Sequence, residues 1–109
     1  MEMKKETQEK IQQLQLYEQN IQQFLMQKQQ FQSQLIEFES ALSELENVKN
    51  AYKIVGNIMV MGETGDMKKD LKQKKEMVEL RIKNLEKQED SIKEKTEVLQ
   101  KEVLGEMKE

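Results

Sequence analysis

The residue types that most often carry chemistry in proteins are scarce in this sequence. Histidine and cysteine are absent from its 109 residues, so the commonest metal ligands, nucleophiles and general bases are missing. The four glycines, at positions 56, 62, 65 and 105, match no phosphate-binding loop. Carboxylates are abundant, but Asp and Glu scattered along helices usually serve as solubilising charge. We therefore expect no enzyme, no catalytic, cofactor-binding or metal-binding residues, and no cofactor.

A lysine cluster in the second half of the chain could indicate a nucleic-acid site. It consists of Lys68, Lys69, Lys72, Lys74 and Lys75. Acidic residues interrupt it at Asp66, Asp70 and Glu76, and it contains no aromatic side chain on which a base could stack. The formal net charge of the whole chain is -3. A solvated helix start is the favoured interpretation, and we expect no nucleic-acid partner.

Composition indicates long helices more than a globular core. Hydrophobic and charged residues each make up 36% of the chain, and proline is absent. No apolar run approaches the roughly 18 residues that a membrane span needs. The N-terminus begins with charged residues and glutamines where a signal peptide has an apolar core. We expect a soluble, cytoplasmic protein without a membrane partner.

A heptad pattern predicts a first helix over about residues 6–50, a segment without glycine. Its d positions are Tyr17, Phe24, Phe31, Phe38, Leu45 and Tyr52. Its a positions are Leu14, Ile21, Lys28, Leu35, Leu42 and Lys49. Glutamine fills most outer positions, so the apolar seam is narrow. Such a helix must bury its seam against a partner helix.

A second heptad pattern predicts a helix over about residues 67–108. Its d positions are Leu71, Val78, Leu85, Ile92 and Leu99. Its a positions are more mixed: Lys75, Ile82, Glu89, Thr96 and Val103. Either Thr64 or Asp66 could cap this helix, and Asp66 is favoured.

Between the two heptad patterns, about residues 51–61 predict a β-hairpin. Gly56 and Asn57 suit a two-residue turn, of type II′ by preference, because Gly accepts a positive φ at the first turn position. This turn places Val55 opposite Ile58. Both faces of the ribbon are then largely apolar, and a lone two-stranded hairpin is marginal in water. The cover must come mainly from other subunits, so the hairpin predicts an oligomer.

Two helices of similar length joined by a compact turn favour an antiparallel pair. We predict one domain, residues 1–109, with a mainly α fold: an antiparallel two-helix coiled coil with a central β-hairpin. Charge placement supports this arrangement. Folding the chain near residue 59 or 60 brings opposite charges together at three places, namely Lys49 with Asp70, Lys75 with Glu44, and Lys28 with Glu89 or Asp90.

Apolar residues off the seam lie near both free ends of the predicted coiled coil. Together with neighbouring seam residues, this tip set is Ile11, Leu14, Leu16, Val98, Leu99, Val103, Leu104 and Met107. The set is explained equally well by an exposed apolar surface that binds other proteins and by ordinary packing within the fold. A similar inner set, Ile36, Met77 and Leu80, is better explained by packing against neighbouring coils or shared β-structure.

Several of these residues carry a family resemblance. The stretch from Tyr52 to Val60 resembles the central hairpin motif of β-class (archaeal-type) prefoldin subunits. Further matching stretches are 27–29, 34–35, 41–45 and 81–89. The resemblance spans nearly the whole chain. It implies oligomerisation through the hairpin residues Tyr52, Ile54, Val55, Gly56, Asn57, Ile58, Met59 and Val60.

What the resemblance implies is a hetero-hexamer of two α-class and four β-class subunits, whose hairpins join an intersubunit β-barrel. Such a chaperone works without ATP. It captures non-native client proteins with the tips of its coiled coils, here the tip set, and transfers them to a group II chaperonin. The alternative from another class is a structural or scaffolding coiled coil with a specific helical partner, which does not need the hairpin.

Overall fold

A computed structural model describes residues 4–108 of the chain. Helix α1 spans Lys5–Glu44, strand β1 spans Asn50–Val55, strand β2 spans Ile58–Glu63, and helix α2 spans Thr64–Lys108. The fold is therefore mainly helical, with two long helices and a two-stranded antiparallel hairpin between them. Residues Met1 to Met3 and Glu109, which belong to the predicted domain, lie outside the described residues.

The chain forms two compact units. The terminal unit contains residues 4–29 and 83–108, and the central unit contains residues 30–82. Each unit therefore holds a part of both helices, and the central unit also holds the hairpin.

In the terminal unit, the predicted seam is confirmed by burial. Leu85, Glu89 and Val103 of α2 are 9%, 8% and 7% exposed. The predicted a and d positions of α1, from Leu14 to Lys28, are half-buried, whereas most of the glutamines between them are exposed. A helix with one narrow apolar stripe gains most of its stability from the helix packed on that stripe.

In the central unit, the same heptad pattern describes which residues are buried. Val78 is the most buried apolar residue of the described chain, at 4% exposure. The guanidinium carbon of Arg81 lies 5.7 Å from the centroid of the Phe31 ring, within cation–π range. Arg81 thus covers an aromatic seam residue with a side chain that keeps its charge near solvent.

Helix α1 ends at Glu44, earlier than the expected end near residue 50. Residues 45–47 form a turn in which Asn47 has a φ of 66°. A left-handed residue cannot continue a right-handed helix, and Asn tolerates this conformation better than most residues. Lys49 and Tyr52 therefore lie outside the helix and are exposed, so their assignment to the seam was wrong.

The hairpin has the predicted register, with Val55 paired to Ile58, Lys53 to Val60 and Ile54 to Met59. Gly56 has a φ of 63°, and among the described non-glycine residues only Asn47 has a positive φ. A positive φ at the first turn residue alone fits type II′ and excludes type I′, which requires a positive φ at both central residues. Both strands extend slightly beyond the predicted hairpin.

Helix α2 begins at Thr64, two residues before the favoured cap, Asp66. The Thr64 hydroxyl lies 2.6 Å from the carbonyl oxygen of Val48 and 3.1 Å from that of Lys49, which can accept its proton. The Thr64 amide donates to the Lys49 carbonyl at 3.3 Å. Thr64 thus ties the start of α2 to the segment before β1. Asp66 lies within the first turn, where negative charge is favourable.

Replacing Gly56 with Val should weaken the hairpin. A side chain at Gly56 would meet no atom within 4 Å, so the cost comes from the positive φ alone and should be about 1–2 kcal/mol. Amide hydrogen exchange at Lys53 and Val60 should become faster, because these residues pair across the ladder.

The control for this prediction is Gly105→Val. Gly105 lies within α2, and a side chain there also meets no atom within 4 Å. Because Val is the better helix former by about 0.5 kcal/mol or less, hairpin exchange should not change. Unchanged protection of the hairpin in the Gly56 variant would contradict the turn assignment.

Candidate functional site

One face of the hairpin carries Tyr52, Ile54, Met59 and Met61. The register places these residues on the same side, because Ile54 pairs with Met59 and Tyr52 with Met61. Their exposed fractions lie between 63% and 70%. Four large apolar side chains on one small ribbon face form a patch that monomeric proteins rarely leave open.

The opposite face carries Val55, Ile58 and Val60 beside Lys53. Val55, Ile58 and Val60 are 55%, 66% and 48% exposed. Nothing in the described part of the chain covers either face fully. The hairpin residues named in the sequence analysis are thus brought together as one two-sided apolar surface.

A groove of about 570 Å³ lies beside the hairpin within the central unit. Leu45, Tyr52, Ile54, Met67 and Leu71 supply apolar parts of its wall. Four acidic residues also line it, namely Glu44, Glu63, Asp66 and Asp70.

Gly62 lies at the wall of this groove, and the sequence analysis did not assign it a packing role. A Cβ atom on Gly62 would lie 3.0 Å from the methyl carbon of Met67. Glycine therefore leaves room for the end of the flexible Met67 side chain, which a Cβ atom would force to shift. The sequence indicated such a contact, because glycine inside a strand often marks a place where another group approaches the backbone closely.

The tip set divides into exposed and buried residues within the terminal unit. Val98, Leu104 and Met107 are 59%, 59% and 55% exposed, and Leu16 is 52% exposed. Ile11, Leu14 and Leu99 are half-buried. Val103 is only 7% exposed, because it belongs to the seam. A partner could therefore reach the first four side chains without any rearrangement of the helices.

Val98 and Leu99 also line a small surface depression in the terminal unit. Tyr17 of α1 lies on its other side, and Glu94 and Lys95 complete its wall. Its volume is about 350 Å³. This depression brings residues of the tip set next to an aromatic ring that the heptad pattern assigns to the seam.

A polar clasp of Thr7, Lys10, Glu102 and Glu106 joins α1 to α2 in the terminal unit. The Lys10 ammonium lies 2.6 Å from the Glu106 carboxylate and 3.4 Å from that of Glu102. The Thr7 hydroxyl donates to the other Glu106 oxygen at 3.1 Å, and Thr7 is 2% exposed. The hydrogen bond from Lys10 is the main cause that lowers the pKa of Glu106, and the same contact raises the pKa of Lys10.

The sequence analysis missed this clasp, although the heptad frame contains it. One heptad before Leu14 and Tyr17 lie Thr7 and Lys10, and one heptad after Leu99 lies Glu106. All three are polar, so a search for apolar periodicity stops before it reaches them. Extending the frame through polar residues would have placed Lys10 and Glu106 at seam positions.

A second polar contact crosses the seam at Lys28 and Glu89. Their charged atoms lie 3.6 Å apart, which confirms the predicted approach of Lys28 to Glu89. Lys93, one turn further along α2, donates to Glu89 at 3.0 Å. The hydrogen bond from Lys93 is the main cause that lowers the pKa of Glu89, and the charge of Lys28 acts in the same direction.

The other two predicted charge pairs are wrong. Lys75 lies 3.6 Å from Glu39 instead of Glu44, and Asp70 pairs with Lys74 at 3.1 Å instead of Lys49. The prediction assumed that every residue on either side of the bend advances the chain by the same distance. Residues 45–49 form no helix, so counting through them misplaces α1 relative to α2 in the central unit.

Neither a metal-binding cluster nor a membrane-spanning helix is found among the described residues. In residues 4–108 no group of three or more Asp or Glu side chains is arranged to hold a metal ion. Neither helix of this described range has an apolar stretch long enough to cross a membrane.

The fold and the exposed hairpin define a class of protein: a mainly helical chain whose β-hairpin carries apolar side chains on both faces. Comparison with known families gives the particular family. The profile described as a prefoldin subunit matches residues 8–109. The chain belongs to the prefoldin family.

Individual relatives agree with the family assignment. The crystal structure of the prefoldin beta subunit from Thermococcus strain KS-1 is similar, with a TM-score of 0.89, 32% sequence identity, and coverage of 95% of this chain and 94% of that one. The prefoldin subunit beta of Archaeoglobus fulgidus is 48% identical over 40% of this chain and 38% of its own length. That of Sulfurisphaera tokodaii is 42% identical over 48% of this chain and 42% of its own length. The chain thus spans about two fifths of the length of these two curated relatives.

Replacing Glu106 with Gln should reduce the response of stability to acid. The folded pKa of Glu106 lies below its ordinary value, so its contacts stabilise the fold above the unfolded pKa. This stability is lost as the pH falls through the folded pKa. Between about pH 5 and about pH 3 the melting temperature of the Gln variant should fall less than that of the wild type.

Thermal unfolding followed by circular dichroism measures this difference. Glu97→Gln is the control, because Glu97 is exposed on the same helix. It should keep the acid response of the wild type. An equal response in the Glu106 variant would show that the clasp does not contribute to stability.

Proposed function

We propose that this chain is a β-class subunit of an ATP-independent holdase, and that it is not an enzyme. The proposed assembly is a cytoplasmic hetero-hexamer of two α-class and four β-class subunits. Residues 1–109 act in it as a single prefoldin-like domain. The hairpin joins an intersubunit β-barrel, the ends of the coiled coil hold non-native proteins, and these are then transferred to a group II chaperonin. The exposure of apolar side chains on both hairpin faces is the main support.

The hairpin supports assembly through its uncovered area. Seven large apolar side chains, from Tyr52 to Met61, are between 48% and 70% exposed. Full burial of one such side chain is worth about 1.5–3 kcal/mol, so partial burial of seven supplies a substantial driving force for association. Both strands are also edges with free hydrogen-bonding groups, which a strand from another subunit can satisfy. An intersubunit β-barrel would bury the apolar side chains and pair the free strand edges at the same time.

The terminal unit supports client holding through Leu16, Val98, Leu104 and Met107. Each is more than half exposed, and none is needed to close the seam. The unbranched thioether of Met107 can adapt to irregular apolar surfaces. Weak contacts made by several subunits at once add through effective concentration, so clients of different shapes can be held. We leave Val103 out of this surface because it is buried in the seam.

Replacing Ile58 and Val60 with Asp tests the assembly. Both residues lie on one hairpin face, where two new charges would oppose burial. Helical circular dichroism should remain, while native mass spectrometry with an α-class subunit should show monomers or dimers in place of the hexamer. The matched control is Leu25→Asp with Met26→Asp, two exposed apolar residues on α1 that belong to neither the hairpin nor the inner set. Survival of the hexamer in the hairpin variant would contradict a barrel built from these strands.

Replacing Val98, Leu104 and Met107 with Ser tests client holding. These residues are exposed, so the change should cost little stability and leave the hexamer intact. Suppression of aggregation, measured by light scattering of a diluted denatured protein, should fall severalfold at equal stoichiometry. The matched control replaces Leu25 and Met26 with Ser, two exposed apolar residues of the same unit that lie outside the tip set.

The two variants distinguish the possible outcomes. Loss of holding in the control alone would place capture on the sides of the helices instead of the tip set. Full holding by both variants would contradict client capture by exposed apolar residues of the coiled coil and would favour the scaffolding alternative.

A further inference from the structure

The seam of the terminal unit contains an ion pair where coiled coils usually bury apolar side chains. Lys28 and Glu89 both occupy a positions, and their side chains are only 18% and 11% exposed. Their charged atoms lie 3.6 Å apart. Lys93 holds the other carboxylate oxygen of Glu89 at 3.0 Å, so both oxygens have a cationic partner.

An ion pair of this kind adds little net stability to a seam. Removing two charges from water costs several kcal/mol per ion, and their attraction only roughly offsets that cost. A pair of apolar side chains at the same place would stabilise a seam at least as well. The pair is therefore better explained by the alternative helix alignments that it disfavours.

Apolar layers alone discriminate weakly between registers of this seam. Apolar residues recur every seven residues along both helices: Leu and Ile alternate with aromatic residues along α1, and Leu, Ile and Val recur along α2. A shift of one heptad would still bring apolar residues together at most levels. The same shift would bring Lys28 to the level of Ile82 or Thr96, and Glu89 to the level of Ile21 or Leu35. Lys28 would then be buried without an opposite charge, and Glu89 would keep only Lys93 of its own helix as a partner.

Pairing between like helices meets a similar penalty. In a parallel pair of α1 helices from two chains in register, Lys28 would face a second Lys28. In the corresponding pair of α2 helices, Glu89 would face a second Glu89. Like charges in a seam are destabilising, whereas the observed antiparallel pairing of α1 with α2 satisfies both groups.

We infer that Lys28 and Glu89 determine the register and the partner choice of the two helices. Lys93 acts as a positioning residue that orients the Glu89 carboxylate. The inference rests on the terminal unit alone and is independent of the proposed chaperone role.

The decisive variant replaces Lys28 and Glu89 together with Leu. It removes the charges and keeps an apolar seam, so the chain should stay helical with an equal or higher melting temperature. Its register should become heterogeneous. A contribution to stability alone would lower the melting temperature and leave one register, so the two measurements separate the two roles.

Register is measured by the distance between two nitroxide labels. The chain has no cysteine of its own, so Gln15→Cys and Lys101→Cys give two defined label sites, both exposed in the terminal unit. The labelled chain is diluted with unlabelled chain, so that only distances within one molecule are recorded. A slip of one heptad displaces a label along the helix axis by about 10 Å.

The wild type should give one narrow distance distribution, and the double Leu variant should add a second population. The matched control replaces Glu39 and Lys75 with Ala, a more exposed pair of the central unit, and should keep the single distance. A single unchanged distance in the double Leu variant, without new association between like helices, would overturn the inference.

Charge reversal provides a second test. Lys28→Glu alone should lower the melting temperature and broaden the distance distribution, because it places two carboxylates together. Adding Glu89→Lys and Lys93→Glu restores opposite charges at all three positions and should recover the narrow distribution. Failure of this triple variant to recover it would show that charge complementarity does not select the register.

Discussion

The narrow seam between α1 and α2 is the interaction on which the rest of the structure depends. Isolated helices are marginal in water, and these carry only one apolar stripe each. The most buried apolar residues, Val78, Leu85 and Val103, all belong to the seam. Because the seam takes so few side chains, many apolar residues remain on the surface. That leaves the hairpin faces and four residues of the tip set, Leu16, Val98, Leu104 and Met107, accessible to other proteins.

The hairpin depends on backbone contacts at its base as well as on its turn. Asn47 reverses the chain after α1 with a left-handed conformation, and Gly56 does the same at the turn between the strands. Thr64 then bonds to the carbonyl groups that precede β1. These contacts hold the two ends of the ribbon together without covering its faces. The apolar area thus stays available for association, as expected for a prefoldin subunit.

Polar groups in the seam of the terminal unit have a different purpose from its apolar layers. Leu and Val layers supply stability but repeat every heptad, so they specify alignment only weakly. Lys28 with Glu89, and Lys10 with Glu106, are satisfied by a unique antiparallel alignment of their helices. A chain that exposes apolar surface to other proteins has a particular need for such selectivity, because nonspecific helix pairing competes with the correct one.

The sequence by itself determined the element types, the seam positions within the helices and the hairpin register. Heptad periodicity identifies a helix face directly, and a Gly-Asn turn of two residues leaves one possible pairing for Val55 and Ile58. It also predicted the approach of Lys28 to Glu89, because the heptad pattern places both residues on the stripes along which the helices pack.

Only the tertiary structure decided where the helices end and which tip residues are exposed. The left-handed Asn47 and the contacts of Thr64 depend on groups brought together by folding, so periodicity could not show them. The same holds for the partners of Lys75 and Asp70, which depend on the irregular segment after α1. Ile11 and Leu16 both lie off the predicted seam, yet Ile11 is half-buried and Leu16 is 52% exposed, because burial depends on which side chains of the opposite helix lie beside each of them.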